Sequence, residues 1–218
     1  MSNTLTIAID GPAASGKGTL ARRLAERFDL AYLDTGAIYR AVARDVLAAG
    51  QDPADADAAA AQAARLDSET LGDPRLRDED VARTASVVAA HAPVRAALLA
   101  FQRRFAADPP GGKRGAVLDG RDIGTVVCPD APLKLYITAG LEARADRRHK
   151  ELSQRGEAQP FEDVLADLQT RDARDSGRAA APLKQAEDAV LIDTTALDAE
   201  GVFAHIADLV EARLRDRL

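Results

Sequence analysis

Residues 5–24 read LTIAIDGPAASGKGTLARRL: an apolar run, a loop that begins with glycine, and the start of an amphipathic helix. Strand, glycine-bounded loop and helix form the context in which a GxxxxGK pattern binds phosphate. Gly11 and Gly16 permit backbone conformations that other residues avoid, so the loop can turn its N–H groups towards a polyphosphate. Lys17 adds an ammonium for the outer phosphates, with the positive end of the helix behind them. The predicted phosphate loop consists of Gly11, Pro12, Ala13, Ala14, Ser15, Gly16, Lys17, Gly18 and Thr19.

A glycine turn before an ordinary helix is the alternative interpretation of this stretch. Lysine is rare in the chain, however, because most of its 29 basic residues are arginine. A lysine at this position therefore favours phosphate binding. The residue after Lys17 is Gly18, where many phosphate loops carry a Ser or Thr that meets magnesium. Thr19 is displaced by one position, and Gly-Lys-Gly-Thr is similar to the loops of nucleoside-monophosphate kinases.

Composition narrows the class of protein. The 218 residues suit one domain with insertions, and 46% hydrophobic with 29% charged residues is typical of a globular protein. Aromatic residues make up only 4%, tryptophan is absent and the net charge is −6, so neither nucleic acid nor an anionic membrane is expected as a partner. Cys128 is the only cysteine, which fits a reducing compartment and a core position. With no signal peptide or membrane-length apolar run visible, we expect a cytoplasmic protein.

Short apolar runs alternate with helical patterns along the whole chain. The runs lie at residues 5–9, 31–33, 116–118, 133–138 and 189–192, and they predict a five-stranded parallel sheet with helices on both faces. Ligands of such sheets bind beyond the carboxyl ends of the strands. Acidic residues lie at the ends of the first three runs, so magnesium and a sugar or base are expected there. These residues are Asp10, Asp34, Asp119 and Asp122.

Arginines provide the positive charge that a kinase of phosphorylated substrates needs between two polyanions. One arginine-rich stretch continues past a break in helix propensity at Gly177, which predicts a lid that closes over phosphates and excludes water. Solvated surface charges paired with neighbouring acids are the alternative. The three clusters are Arg40; Arg144, Arg147, Arg148 and Arg155; and Arg171, Arg174 and Arg178.

Four segments carry a resemblance to a known family. They are residues 11–19, residues 34–40 (DTGAIYR), residues 119–127 (DGRDIGTVV) and residues 171–175 (RDARD). In this order and spacing they resemble the bacterial cytidylate kinases, of the nucleoside-monophosphate kinase family, over nearly the whole chain. The resemblance implies a single P-loop kinase domain over residues 1–218, with a substrate-binding insert at about 54–106 and a lid at about 150–182. It also implies phosphoryl transfer from ATP to CMP or dCMP, with Mg²⁺, by a monomer acting in pyrimidine nucleotide metabolism.

The resemblance also implies roles for individual residues. The phosphates of ATP bind residues 11–19, and the implied catalytic residues are Lys17, Arg121, Arg148 and Arg178. The implied contacts to the acceptor are Thr35, Tyr39, Arg40, Ser86, Arg95, Arg121, Asp122, Arg171, Asp175 and Arg178. Magnesium is expected at Thr19 and Asp119, at the latter through water.

Within that set, Ser86, Arg95 and Asp122 are expected to read the pyrimidine. A carboxylate, a hydroxyl and a guanidinium complement the amine, ring nitrogen and carbonyl of cytosine. Arg40 and Arg121 would hold the phosphate of CMP. Three alternatives stay open: a locally satisfied Ser86, an Arg95 that pairs with an acid, and a Tyr39 that only packs in the core.

One region departs from the family pattern. The insert of the family usually carries a small antiparallel sheet, but residues 67–80 are polar and lack alternating apolar residues. We therefore expect that sheet to be reduced or missing. Position 35 is Thr where Ser is common in the family, and both offer a hydroxyl.

Three other functions compete with this interpretation. A kinase for another small acceptor would share most of these features. A GTP-binding switch would need an Asn-Lys-x-Asp loop, and the only asparagine is Asn3. A nucleotide-binding module without catalysis is harder to exclude from sequence.

Overall fold

The computed structural model describes residues 5–197 and 199–215. Its centre is a five-stranded sheet in the order β2-β3-β1-β4-β5, in which every neighbouring pair is parallel. The predicted parallel sheet is thus confirmed. The strands are β1 (Leu5–Asp10), β2 (Ala31–Asp34), β3 (Gly115–Gly120), β4 (Leu133–Thr138) and β5 (Val190–Asp193).

Helices connect the strands and cover the sheet. Most of them start or end where the sequence pattern predicts, because their apolar positions recur at helical spacing. The helices are α1 (Lys17–Phe28), α2 (Thr35–Ala48), α3 (Ala56–Ala63), α4 (Glu79–Val88), α5 (Ala92–Ala107), α6 (Leu141–Gln154), α7 (Phe161–Gly177) and α8 (Ala199–Arg215).

Both faces of the sheet are buried, since successive side chains of a strand point to opposite faces. In β1, Ala8 packs in the cluster formed with α2, α3, α4 and α5. Ile7 and Ile9 pack on the other face, in a cluster with α1 and α8. A third cluster joins α6 and α7 to Ala13 of the phosphate loop. The carboxyl ends of the strands, where the site is expected, are thereby held in a rigid frame.

Helix α7 is longer than its sequence pattern predicts. The apolar positions that begin at Phe161 predict a helix that ends at Asp172, whereas α7 continues to Gly177. Leu168 and Asp175 are both buried along it, so tertiary contacts extend the helix through a charged stretch. Arg171 and Arg174 therefore lie on a helix, and only Arg178 lies beyond its last residue.

The polar stretch of residues 67–80 forms no strand, as expected from its lack of alternation. It folds into two 3₁₀ turns, Ser68–Gly72 and Pro74–Arg77, that are capped by the side chains of Asp67 and Asp73. Leu76 anchors the stretch by packing against α2. Residues 54–106 consequently consist of helices and turns.

No single helix within residues 5–197 and 199–215 is long and apolar enough to span a membrane. The segment from Glu79 to Gly112 meets the length and composition criteria only as a pair of helices, and this pair is bent by 100°.

Candidate active site

The phosphate loop joins the end of β1 to the start of α1 and has the backbone that its glycines predict. Gly11 has φ of 154°, and a Cβ placed there would lie 2.0 Å from the backbone oxygen of Ile137. Gly16 caps α1 in the left-handed conformation, with φ of 87°. Any other residue at position 11 would collide with β4, so the loop requires glycine at that point.

Lys17 lies at the first position of α1, and its Nζ donates to the backbone oxygen of Pro12 at 3.0 Å. It forms no ion pair with an acid of the described chain. Burial, with a smaller contribution from the Arg121 guanidinium, lowers the pKa of Lys17 to about 7. A buried amine in this state gains its natural counter-charge when an anion binds beside it.

Beside the loop lies a cavity of about 240 Å³, called here the arginine cavity. It opens at the carboxyl ends of β2 and β3 and is closed by α2, α4 and α7. The structure brings into its wall most of the residues predicted for the acceptor and the outer phosphates. These are Lys17, Thr35, Tyr39, Arg40, Ser86, Arg95, Asp119, Arg121, Asp122, Arg171, Asp175 and Arg178.

Several guanidinium nitrogens of the arginine cavity make no hydrogen bond with the described residues. Arg171 makes no hydrogen bond and no ion pair with the described residues, and its Nε is buried. Arg40 Nε and Arg178 Nη2 are likewise buried and without a hydrogen bond. Burial and the nearby Arg121 lower the pKa of Arg171 to about 10. Because buried cations are costly unless paired, this arrangement suits a polyanionic ligand.

Two carboxylates lie at the base of the cavity. Asp34 caps α2 through the N–H of Ala37 at 3.1 Å and pairs with Arg40 at 2.7 Å. Burial by itself would raise the pKa of Asp34. The charge and hydrogen bond of Arg40 nevertheless hold this pKa below its usual range. Burial, assisted by the charge of Asp34, raises the pKa of Asp119 to about 7. A cation would stabilise the charged form of Asp119.

Gly18 leaves room in front of Asp119. A Cβ at position 18 would lie 3.1 Å from Asp119 Oδ2, so the missing side chain creates space beside this carboxylate. Mg²⁺ is usually held by one or two carboxylates and several waters. The described residues contain no group of three or more acidic, His or Cys side chains arranged for a metal. The donor set therefore fits a magnesium ion held largely through water.

The structure does not bring Thr19 together with Asp119. Helical rotation from Lys17 onwards turns position 18 towards Asp119 and position 19 away from it. Thr19 lines a different cavity of about 270 Å³, which also contains Arg23, Arg147, Leu197 and Phe203. The two residues thus line different cavities, and their joint role at one metal ion stays a prediction.

The arginine cavity also contains ion pairs among its own residues. Arg95 pairs with Asp122, as one alternative interpretation anticipated, and its guanidinium lies 5.4 Å from the ring centroid of Tyr39. Arg121 pairs with Asp175 at 2.8 Å. Arg178 lies 3.9 Å from Asp122 and 4.0 Å from Asp175. These pairs hold the side chains inside the cavity in defined positions.

Thr35 and Tyr39 are buried residues of α2. The Thr35 hydroxyl donates to the backbone oxygen of Asp119 at 2.7 Å and so links α2 to β3. Tyr39 packs in the core, and its burial raises the pKa of its hydroxyl. Both residues reach the cavity with only part of their surface.

Arg148 does not reach the arginine cavity. It pairs with Glu79 of α4 and with Glu151 at 3.0 Å. It lines a neighbouring cavity among α4, α6 and α7, called here the helix cavity, of about 240 Å³. Two acids thus pair with Arg148 in this arrangement of the helices, and its catalytic role stays a prediction.

The other arginines of α6, and Arg155 directly after it, connect separate segments of the fold. Arg144 is buried and donates to the backbone oxygens of Ala139 and Ala13, and to Asp172 at 2.7 Å. Arg147 donates to Thr194, and Arg155 donates to the backbone oxygen of Arg77. This cluster connects helices, strands and loop and lies outside the arginine cavity.

Two features differ from the expectations drawn from the sequence. Asp10 does not face the cavity, because its carboxylate accepts the N–H groups of Ile123 and Gly124 at 2.7 and 2.8 Å. It thereby holds the turn that follows Arg121 and Asp122. The second feature is the apolar cavity beside Thr19, whose residues come from distant segments; no local pattern could have identified it.

Comparison with known proteins agrees with this geometry. The family model described as Cytidylate kinase matches residues 7–212. A protein of Xanthobacter autotrophicus named cytidylate kinase is 59% identical over 214 residues, which cover 98% of this chain and 100% of that protein. A protein of a Methylobacterium species, also named cytidylate kinase, is 63% identical over 209 residues, which cover 96% of this chain and 98% of that protein.

A solved structure of an uncharacterized protein from Eubacterium ventriosum has the same fold, with a TM-score of 0.50 at 14% identity; it covers 95% of this chain and 99% of that chain. Sequence and fold thus agree with known proteins over nearly the full length of the chain. The chain belongs to the cytidylate kinase family.

Proposed function

We propose that this protein transfers the γ-phosphoryl group of ATP to CMP or dCMP and releases ADP with CDP or dCDP. The observation that carries the proposal is the set of unpartnered, buried guanidinium nitrogens next to a phosphate loop. Two phosphorylated molecules must meet there, and only clustered cations can offset their charge.

ATP binds with its phosphates on residues 11–19 in this proposal. Lys17 exchanges the backbone oxygen of Pro12 for a phosphate oxygen. The adenosine end extends into the apolar cavity that Thr19, Leu197 and Phe203 line on the other side of the loop. Apolar walls with a few polar groups suit a nucleoside.

Mg²⁺ would be held by Asp119, with Asp34 close by, through water molecules in the space left by Gly18. When bound, the ion neutralises phosphate charge. Thr19 would contribute only if α1 changed its orientation.

The acceptor occupies the arginine cavity. Its phosphate lies among Arg40, Arg121, Arg171 and Arg178, with Tyr39 and Thr35 beside it. Its base is read by Ser86, Arg95 and Asp122, and Asp175 with Arg171 contacts the pentose. Since the ion pairs of Asp122 and Asp175 already orient these groups, little rearrangement is needed when the nucleotide binds.

Catalysis then consists of positioning and charge stabilisation. Lys17 and Arg121 flank the point where the two phosphates meet, and both are buried, so their charges act in a site with little water. Arg148 would join them only after its ion pairs with Glu79 and Glu151 break. Such a movement would make the region at about 150–182 a lid and the region at about 54–106 the substrate insert of one domain, residues 1–218. A monomer in the cytoplasm completes the proposal.

An acceptor panel tests it. Purified protein is given ATP and magnesium with CMP, dCMP, UMP, AMP or GMP, and ADP release is followed. CMP and dCMP should give the highest kcat/KM. Equal or faster turnover of UMP or AMP would contradict the proposed specificity, and no turnover of any acceptor would favour a binding module.

A further inference from the structure

Ser86 lies between two cavities. It is a buried residue of α4, with 6% of its surface exposed, and it lines both the arginine cavity and the helix cavity. One side of its hydroxyl therefore faces the proposed acceptor, and the other side faces α7.

Arg174 approaches Ser86 from the helix cavity. Its Nη1 donates to Ser86 Oγ at 2.8 Å, and this residue does not line the arginine cavity. Among residues 5–197 and 199–215, no acid lies within ion-pair distance of Arg174, and Ser86 is the only hydrogen-bond partner of its side chain. The whole guanidinium is thus directed at one hydroxyl.

A hydroxyl has one proton to donate and two lone pairs that accept, whereas arginine can only donate. The bond from Arg174 occupies one lone pair and polarises the O–H group, which strengthens it as a donor. No group of the described chain accepts the Ser86 proton. The proton is left available for a ligand in the arginine cavity.

We propose that Arg174 is a positioning residue that presents the Ser86 hydroxyl to the acceptor base as a hydrogen-bond donor and thereby favours cytosine over uracil. The inference rests on the proposed function. Ring nitrogen N3 of cytosine accepts a hydrogen bond, whereas the same atom of uracil carries a proton. The bond from Arg174 strengthens the hydroxyl as a donor to cytosine N3 and weakens its remaining lone pair as an acceptor for the N3–H of uracil. Asp122 accepts from the exocyclic amine that only cytosine has.

The test is the ratio of kcat/KM for CMP to that for UMP. Arg174→Met should lower this ratio by about tenfold, the value of one hydrogen bond, and should raise KM for CMP without changing KM for ATP. Arg174→Lys keeps a cationic donor and should retain most of the ratio. Arg83→Met is the matched control, because Arg83 is exposed on the wall of the same cavity and makes no hydrogen bond with the described residues.

A double-mutant cycle shows whether the effect passes through Ser86. If it does, adding Arg174→Met to the Ser86→Ala variant should leave the ratio of kcat/KM for CMP to that for UMP unchanged. Additive effects, an unchanged ratio in Arg174→Met, or equal losses for CMP and UMP would each overturn the inference. Should the methionine variant unfold, Arg174→Gln gives the same comparison, because an amide no longer imposes the donor role on Ser86.

The wild-type result separates the two proposals. A wild-type enzyme that does not prefer CMP contradicts the proposed function and this inference with it. If the wild-type enzyme prefers CMP and the Arg174→Met variant has the same ratio of kcat/KM for CMP to that for UMP, only the inference is contradicted.

Discussion

The phosphate loop and the arginine cavity meet at Lys17, but the chain builds them in different ways. The loop is one continuous segment, and its shape depends on backbone conformations such as that of Gly11 against Ile137. The cavity is assembled from α2, α4, the end of β3 and α7, and its charged groups pair with one another. One region is local, and the other depends on the whole fold.

The difference predicts how each region responds to substitution. Lys17 has a single hydrogen bond, to a backbone oxygen, so its loss should affect chemistry and leave the fold intact. Asp122 is close to both Arg95 and Arg178, so its loss should affect binding and stability together. Five predictions examine this contrast.

The largest effect is expected for Lys17→Met. Phosphoryl transfer should fall roughly 100- to 1000-fold, because a charge next to the transferred group is lost. The melting temperature should not decrease, since the buried amine has a lowered pKa and no acidic partner. Steady-state kinetics and thermal melts measure both.

Lys150→Met serves as the control, because Lys150 is exposed and pairs only with Asp146 on the surface of α6. Retained activity in Lys17→Met would remove this lysine from the mechanism. A lower melting temperature would show that the loop is less independent than its contacts suggest.

Asp122→Ala should lower kcat/KM for CMP roughly 100-fold and leave KM for ATP unchanged. It should also reduce the free energy of unfolding by about 3–5 kcal/mol, because Arg95 becomes a buried cation without its partner. Acceptor kinetics and chemical denaturation measure the two effects. Asp130→Ala, at an exposed acid without a hydrogen bond in the described chain, should change neither. An unaltered preference for CMP would show that Asp122 does not read the base.

Asp10→Asn tests whether Asp10 supports the phosphate loop or the arginine cavity. Asp10 directly precedes the loop in sequence, but its carboxylate holds the turn next to Asp122. An amide has only one accepting oxygen, so about 1–3 kcal/mol of stability should be lost. KM should rise several-fold for CMP and stay constant for ATP. A rise in KM for ATP with an unchanged KM for CMP would show that Asp10 supports the binding of ATP instead.

The same variant should alter the dependence of stability on pH. Burial raises the pKa of Asp10 in the folded protein from 3.8 to about 6. Between about pH 4 and 6 the folded protein retains a proton that the unfolded chain releases, so this group makes stability fall as pH rises. The stability advantage of the wild type over Asp10→Asn should therefore shrink across this range. A constant difference from denaturation at several pH values would contradict the prediction.

The smallest expected effect is an uptake of protons when ATP binds. At pH 8 most of Lys17 is neutral in the free protein, since its pKa is about 7. A polyphosphate raises that pKa, so binding of ATP without magnesium should take up as much as about one proton. Calorimetry in buffers of different ionisation enthalpy detects the uptake. An equal uptake in Lys17→Met would assign it to another group, such as Asp119.

Sequence patterns predicted the parts of the molecule that depend on neighbouring residues. The strands and the phosphate loop follow from apolar runs and glycine positions, and the absence of strands at residues 67–80 follows from the lack of alternating apolar residues there. Roles that depend on distant partners were predicted less well. Arg148 has the expected position on α6, but Glu79, distant in sequence, pairs with it. Helix α7 continues past Asp172 because Asp175 is buried against Arg121.

By itself, the sequence determined the parallel α/β architecture, the phosphate loop and the family, because each depends on a short, ordered set of residues. Only the tertiary structure decided where the acidic and basic side chains point. It turned Asp10 towards a backbone turn, separated Thr19 from Asp119 and placed Arg174 behind Ser86. The physical reason is that a charged side chain adopts the position in which its partners and burial are best satisfied, and those partners come from segments far apart in the chain.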